Sequence, residues 1–297
     1  MKGELDNTKP LNFEKVQQIA LGVLKNIHQV CEDQNLRYTL AYGTLIGAIR
    51  HKGFIPWDDD IDIMMPRPDF DKLVEYYNTH ETGPYKLMNL NNTSGYPYFN
   101  TRVCDTRTYI DVTNEDSYGM GIFVDVCAMD GLGSNWNEAC AIMSKSKKLC
   151  SSMFLATRNK FHIGLTKGIK KKLLKYPAYL ITHALGRSFF IRKMEQLVKN
   201  RDYDSSSYVG CLLWSTYSPQ KEVIKKEWIE KNMLARLQAD LQKLLDDKAL
   251  LLRVDVKEDD GAGQARKPYT AREVAQAMRD KNADLARMEI DLDLEIK

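Results

Sequence analysis

Four aspartates crowd the stretch Trp57-Asp58-Asp59-Asp60-Ile61-Asp62-Ile63. Along a strand, side chains two apart share a face, so Asp60 and Asp62 project together while Ile61 and Ile63 pack on the other side. Two adjacent ionised carboxylates repel, and holding both charged is costly unless a cation lies between them. Oxygen-only ligands beside a phosphate are the preferred setting of Mg²⁺, with Mn²⁺ as the alternative ion. The pattern predicts metal-assisted chemistry at phosphorus. An exposed acidic loop would account for Asp58-Asp59-Asp60 alone, but not for acids alternating into an apolar strand.

Asp125 in Phe123-Val-Asp-Val stands alone in an apolar run, where a charge needs a partner or a metal. It completes a candidate catalytic and metal-binding triad of Asp60, Asp62 and Asp125; a salt-bridged core acid is the alternative. Asp130 in Ala128-Met-Asp-Gly reads as a turn cap. Upstream, Gly43-Thr44 at a strand-to-helix turn offers closely approachable backbone and amide donors to a phosphate. Arg50 and Lys52 add positive charge between that turn and the acids, and Asp59 joins the substrate-binding set. Arg102 and Arg107, flanking Asp105, are either phosphate contacts or salt-bridge partners. For a quaternary ammonium substrate, Tyr96, Tyr98, Phe99, Tyr109, Tyr118 and Trp136 are eligible cage residues.

These side chains need a scaffold, and hydrophobic periodicity supplies its outline. Phe13, Val16, Ala20, Val23, Ile27 and Val30 mark a packing helix within residues 11–35. A short strand lies in 37–42, a helix in 45–50, a strand around Ile61-Met65 and a helix over 69–77 after Pro66 and Pro68. Further strands are expected at 85–88, 98–104, 108–112 and 122–126, and mostly helix from 135 to about 200. The expected class is α/β (α+β), a mixed sheet with flanking helices and a helical C-terminal portion. Residues 1–134 would form the catalytic core, 135–228 a helical acceptor or membrane-proximal part of the same domain, and 229–297 an atypical charged helical tail.

Composition sets the outer bounds. The 297 residues carry 43% hydrophobic and 28% charged side chains with a formal net charge of +3, which fits a globular chain and gives no reason to expect a nucleic-acid partner. Of the 28 aromatic residues, all but Tyr269 precede position 229, so the chain changes character near Trp228. The six cysteines show no C-x-x-C spacing and the start lacks an apolar signal region, so free thiols and a cytoplasmic setting are expected. Lys167, Lys170, Lys171, Lys172 and Lys175 crowd the segment 161–181 beside Leu173, Leu174 and Tyr176. That segment is either a solvated basic face or a contact with an anionic membrane or phosphate-rich acceptor.

The run Tyr42-Gly-Thr-Leu-Ile-Gly-Ala-Ile-Arg-His-Lys-Gly-Phe-Ile-Pro-Trp-Asp-Asp-Asp-Ile-Asp resembles the LicD family. So do Arg102-Val-Cys-Asp-Thr-Arg-Thr and Gly121-Ile-Phe-Val-Asp-Val-Cys-Ala-Met-Asp-Gly. The family comprises phosphocholine and related phospho-alcohol transferases, including fukutin and fukutin-related protein, and the resemblance covers about residues 12 to 228. It implies a nucleotidyltransferase-like fold, Mg²⁺ held by Asp60, Asp62 and Asp125, and a CDP-alcohol donor, usually CDP-choline in bacterial members. The implied acceptor is a hydroxyl of a teichoic acid, lipopolysaccharide or capsule precursor, with CMP released at the inner face of the cell membrane. Rival readings are another nucleotide-dependent transferase, such as a glycosyltransferase using Asp60-Ile-Asp62 or a nucleotidyltransferase, and a non-catalytic nucleotide- or metal-binding module.

Overall fold

Asn12 starts the first helix of the computed structural model by accepting a hydrogen bond from the Lys15 amide at 2.9 Å. The structure describes residues 10–112, 114–116, 118–161, 169–199 and 201–229, with only the backbone for 169–174. The tail read at 229–297 therefore lies, apart from Ile229, outside the described residues, as does the part of the basic segment at 162–168.

Helix α1 (Phe13–Asp33) buries Ala20, Val23, Ile27 and Val30 along the stripe expected of it, while Phe13 stays exposed at its free end. Strand β1 (Thr39–Leu40), helix α2 (Tyr42–His51), strand β2 (Asp62–Pro66) and helix α3 (Arg67–Thr79) follow. Helix α2 begins at Tyr42, earlier than the glycine turn suggested, so Gly43 and Thr44 lie inside its first turn. Strands β3 (Tyr85–Met88), β4 (Thr101–Asp105) and β5 (Ile122–Gly131) complete the central sheet.

No strand forms at 108–112. Thr108 instead closes a turn, its Oγ1 donating to the Asp105 carbonyl and accepting from the Ile122 amide, both at 2.8 Å. Strand β5 runs past the expected end at 126 and takes in Asp130, which is no turn cap. Its buried carboxylate accepts from Arg67 Nε at 2.7 Å, because a charge enclosed in a strand needs a cation beside it.

The strand order is β1-β2-β5-β4-β3, with β2 and β5 parallel and the other pairs antiparallel. Ile63, Met65, Val103, Val124 and Val126 face α1 and α3, forming the main core with Phe70 and Leu73. The alternate residues, including Asp62, Arg102 and Asp125, face the opposite side.

That second side is covered by the C-terminal half. Helices α4 (Trp136–Ala156), α5 (Ile169–Leu185) and α6 (Arg187–Lys199) pack together, followed by β6 (Tyr208–Gly210), a 3-10 turn (Leu212–Trp214) and β7 (Ile224–Lys225). Single turns of helix occupy Pro219–Glu222 and Lys226–Ile229. Strand β6 pairs with the end of β5, so this half continues the same sheet, and the mixed α/β class stands as read. All six cysteines are free. Among the described residues, no helix is long and apolar enough to cross a membrane.

Candidate active site

The parallel pairing of β2 and β5 sets Asp62 directly beside Asp125, and the Asp125 amide donates to the Ile61 carbonyl at 2.8 Å. Alternation then puts both carboxylates on the side away from the main core. Burial, followed by the charges of Asp125, Asp60 and Asp58, pushes the Asp62 carboxyl up to about 7, with Arg102 pulling the other way. Asp60 stands exposed just ahead of β2. Burial and the neighbouring Asp60 and Asp59 carboxylates lift Asp58 to about 6.

Asp125 is the enclosed member of the pair. Burial raises its pKa, opposed by Arg102, whose Nε donates to Oδ1 at 2.9 Å, and by the Asn100 amide, which donates to the same oxygen. Arg102 projects from β4 opposite Asp125, and its guanidinium lies 4.0 Å from the Phe123 ring centre and 4.5 Å from that of Tyr98. Of its two readings, the structure thus gives the salt bridge, made to a catalytic candidate. Arg107 lies two residues beyond Asp105, which pairs with Ile122, and is bound to it through two side-chain nitrogens.

The first turn of α2 approaches the acids from above. Tyr42 adopts a left-handed backbone (φ 45°), a conformation that costs a side-chain-bearing residue about 1 kcal/mol or more. A Cβ on Gly43 would stand 2.5 Å from Asp58 Oδ2, so only glycine lets that carboxylate lie against the helix start. Thr44 Oγ1 accepts from the Asp62 amide at 2.8 Å and ties the helix to β2. Gly43, Thr44, Lys52, Asp58 and Asp60 line one cavity of about 200 Å³ beside this turn. Lys52 therefore shares a space with two of the acids, whereas Arg50 sits exposed on the last turn, about 10 Å along the helix from Gly43. Asp59 is exposed in the loop between them.

On the other side of Arg102 lies a cavity of about 850 Å³, walled by Tyr98, Phe154, Arg158, Tyr179 and Trp214 among others. Tyr98 and Trp214 rings meet nearly at right angles with centres 6.5 Å apart. Of the eligible cage residues, Tyr98 and Phe99 line this cavity; Tyr96 is fully buried, Tyr118 lines a separate polar cleft, and Trp136 packs on Tyr208. Tyr109 is 60% exposed.

Several residues of this wall had no local signature. Tyr98 Oη donates to Glu115, which is ion-paired with Arg158 across 43 positions of sequence. Glu222 is buried and accepts from Ser215 Oγ (2.6 Å) and from the Thr216 (2.8 Å) and Tyr217 (2.6 Å) amides, which fixes the loop after Trp214. The Tyr217 ring lies 6.3 Å from that of Tyr42. For Glu115, Arg158, Trp214 and Glu222 the sequence carried no signal beyond the aromatic density before residue 229.

The donor chemistry fits a small hard dication: three carboxylates, two side by side and one two residues upstream, with one visibly short of counter-charge. Among the described residues, no three His, Cys, Asp or Glu side chains stand close enough to form a complete ligand set as they are.

Residues 35–147 match the model for the LicD/FKTN/FKRP nucleotidyltransferase domain. Over 223 residues the chain is 27% identical to the lipopolysaccharide cholinephosphotransferase LicD of Haemophilus influenzae, spanning 74% of this chain and 80% of that protein. A 47-residue stretch is 43% identical to an uncharacterised protein of Rickettsia prowazekii and to one of Rickettsia typhi, covering 16% of this chain and 18% and 15% of theirs.

Proposed function

We propose that this protein, whose residues 35–147 are a LicD-family domain, transfers phosphocholine from CDP-choline to a hydroxyl of a cell-envelope glycan. The Haemophilus relative is named for transfer to lipopolysaccharide, and the same class of acceptor is the first choice here. The observation that carries the reading is the placement of Asp62 beside Asp125 under the first turn of α2, with Lys52 in the same space as Asp60.

In the proposed reaction the acceptor oxygen attacks the phosphorus bearing choline, the bond from that phosphorus to the CMP oxygen breaks, and CMP departs. The hydroxyl proton passes to Asp125, whose other interactions with Arg102 and Asn100 fix its orientation. Asp60, Asp62 and Asp125 would hold Mg²⁺, with Mn²⁺ as substitute, and the chemistry such an ion would supply there is neutralisation of diphosphate charge as CMP leaves. Lys52 and the amides opening α2 steady the phosphates, where a helix N-terminus favours negative charge. The aromatic wall around Tyr98 and Trp214 supplies faces for a quaternary ammonium. The protein would work in the cytoplasm, at the inner membrane surface.

Purified protein supplied with Mg²⁺, CDP-choline and lipopolysaccharide or teichoic acid precursor is expected to release CMP. Asp60→Ala with Asp62→Ala should abolish that release; undiminished release overturns the site. Release of UDP from a UDP-sugar in preference to CMP from CDP-choline would overturn the donor and favour a glycosyltransferase.

A further inference from the structure

Helix α5 is anchored on one side and bare on the other. Tyr179 Oη donates to the Arg158 carbonyl at 3.2 Å, His183 Nε2 meets the same oxygen at 3.0 Å, and Thr182 is buried. At about 100° per residue, Tyr176, Pro177, Leu180, Ile181, Ala184 and Leu185 share the opposite half of the helix. All six are exposed, Ile181 by 60% and Leu180 by 50%, and no charged residue interrupts them. A contiguous apolar surface of this kind marks an interaction site on a folded protein. Near it, at the end of α4, Phe154 is 51% exposed.

The charge of the same helix says what that surface meets. Its 17 residues include Lys170, Lys171, Lys172 and Lys175 and no aspartate or glutamate. Apolar half and lysines together suit the boundary of an anionic bilayer, where acyl chains take the first and headgroups the second. A protein partner would be expected to ask for some polar pairing within the bare half, and none of its six residues has a side chain that offers a charge.

The 850 Å³ cavity lies directly under this helix. Lys175 and Tyr179 line its α5 side, and Arg102, which holds Asp125, lines it at the sheet. We propose that α5 lies flat on an anionic lipid surface and that the Lys175 and Tyr179 side of the cavity beneath it admits the head of a membrane-lodged glycolipid, the Tyr98 and Trp214 side being kept for choline. The acceptor is thus a lipid-linked glycan and not a released polysaccharide. The choice of acceptor rests on the transferase reading; the lipid contact does not.

The test uses the full chain and two vesicle preparations, phosphatidylcholine alone and phosphatidylcholine with an equal amount of phosphatidylglycerol. Wild type is expected to float with the anionic vesicles and not with the neutral ones, and high salt should weaken the binding. Leu180→Glu with Ile181→Glu, both on the bare face, should lower anionic-vesicle binding about tenfold or more with an unchanged circular dichroism spectrum. The same variant should release CMP at the wild-type rate with a delipidated acceptor but lose rate on the lipid-linked one. Equal binding by wild type and variant overturns the surface, and so does a wild-type dimer that the variant abolishes. Vesicle binding by a preparation that releases no CMP counts against the transferase reading while supporting the lipid contact. Equal rates on the two acceptors overturn the glycolipid assignment.

Discussion

Replacing Asp62 with asparagine should make the metal-free protein more stable, and only in neutral or alkaline solution. In the folded chain burial and the Asp125, Asp60 and Asp58 carboxylates move the Asp62 carboxyl from its usual 3.8 to about 7. The folded protein therefore keeps a proton that the unfolded chain releases between about pH 4 and pH 7, so stability falls as pH rises through that window. Above it the penalty is complete, an upper value of about 4 kcal/mol at about 1.4 kcal/mol per tenfold. Solvent reaching the partly exposed carboxylate lowers this to about 2 kcal/mol. Asp62→Asn removes the charge while keeping the shape, so its melting temperature should exceed wild type by about 4–8 °C at about pH 8 and match it at about pH 4. The assay is thermal unfolding followed by circular dichroism in a chelator. Adding Mg²⁺ at the higher pH should raise the wild-type midpoint and leave the variant nearly unmoved. A variant less stable than wild type at the higher pH, or a shift equal at both, would refute the reasoning that these carboxylates are held together against repulsion.

Arg102→Met should strand a buried Asp125 without its cation and cost about 3–5 kcal/mol in urea unfolding. Adding Asp125→Asn should return most of that stability but no CMP release, and failure of the second change to restore stability would show that Arg102 acts through its aromatic contacts alone. Glu222→Gln should loosen the loop from Ser215 to Tyr217, costing about 1–2 kcal/mol and raising KM for the acceptor with kcat little changed. An unaltered KM would separate that loop from the cavity it lines.

Much of the scaffold was legible because its causes are local. The apolar spacing from Ala20 to Val30 buries one helix stripe, prolines 66 and 68 end a strand and open a helix, and alternation through Ile61, Ile63 and Met65 marks a strand, which the structure buries on both faces. The same alternation predicted that Asp60 and Asp62 share a face, but β2 begins at Asp62 and leaves Asp60 in the exposed loop ahead of it; the isolation of Asp125 in an apolar run singled it out. Where local reading failed, a longer-range contact had won. The 108–112 run yields its strand to a turn that Thr108 closes against Ile122, and Asp130 is claimed by Arg67 from another element.

The sequence by itself determined the chemistry on offer: carboxylates in alternation, a glycine and a threonine ahead of them, and a basic segment without acids. Only the tertiary structure decided which groups meet. Register between β2 and β5 set Asp62 beside Asp125, and the β4–β5 pairing assigned Arg102 to Asp125 while Arg107 turned back to Asp105. The fold also brought Trp214 and the Glu222-pinned loop over the cavity. Helix and strand periods are written over two to four residues. Register and burial are settled by packing between segments far apart in the chain, where no local pattern names the partner.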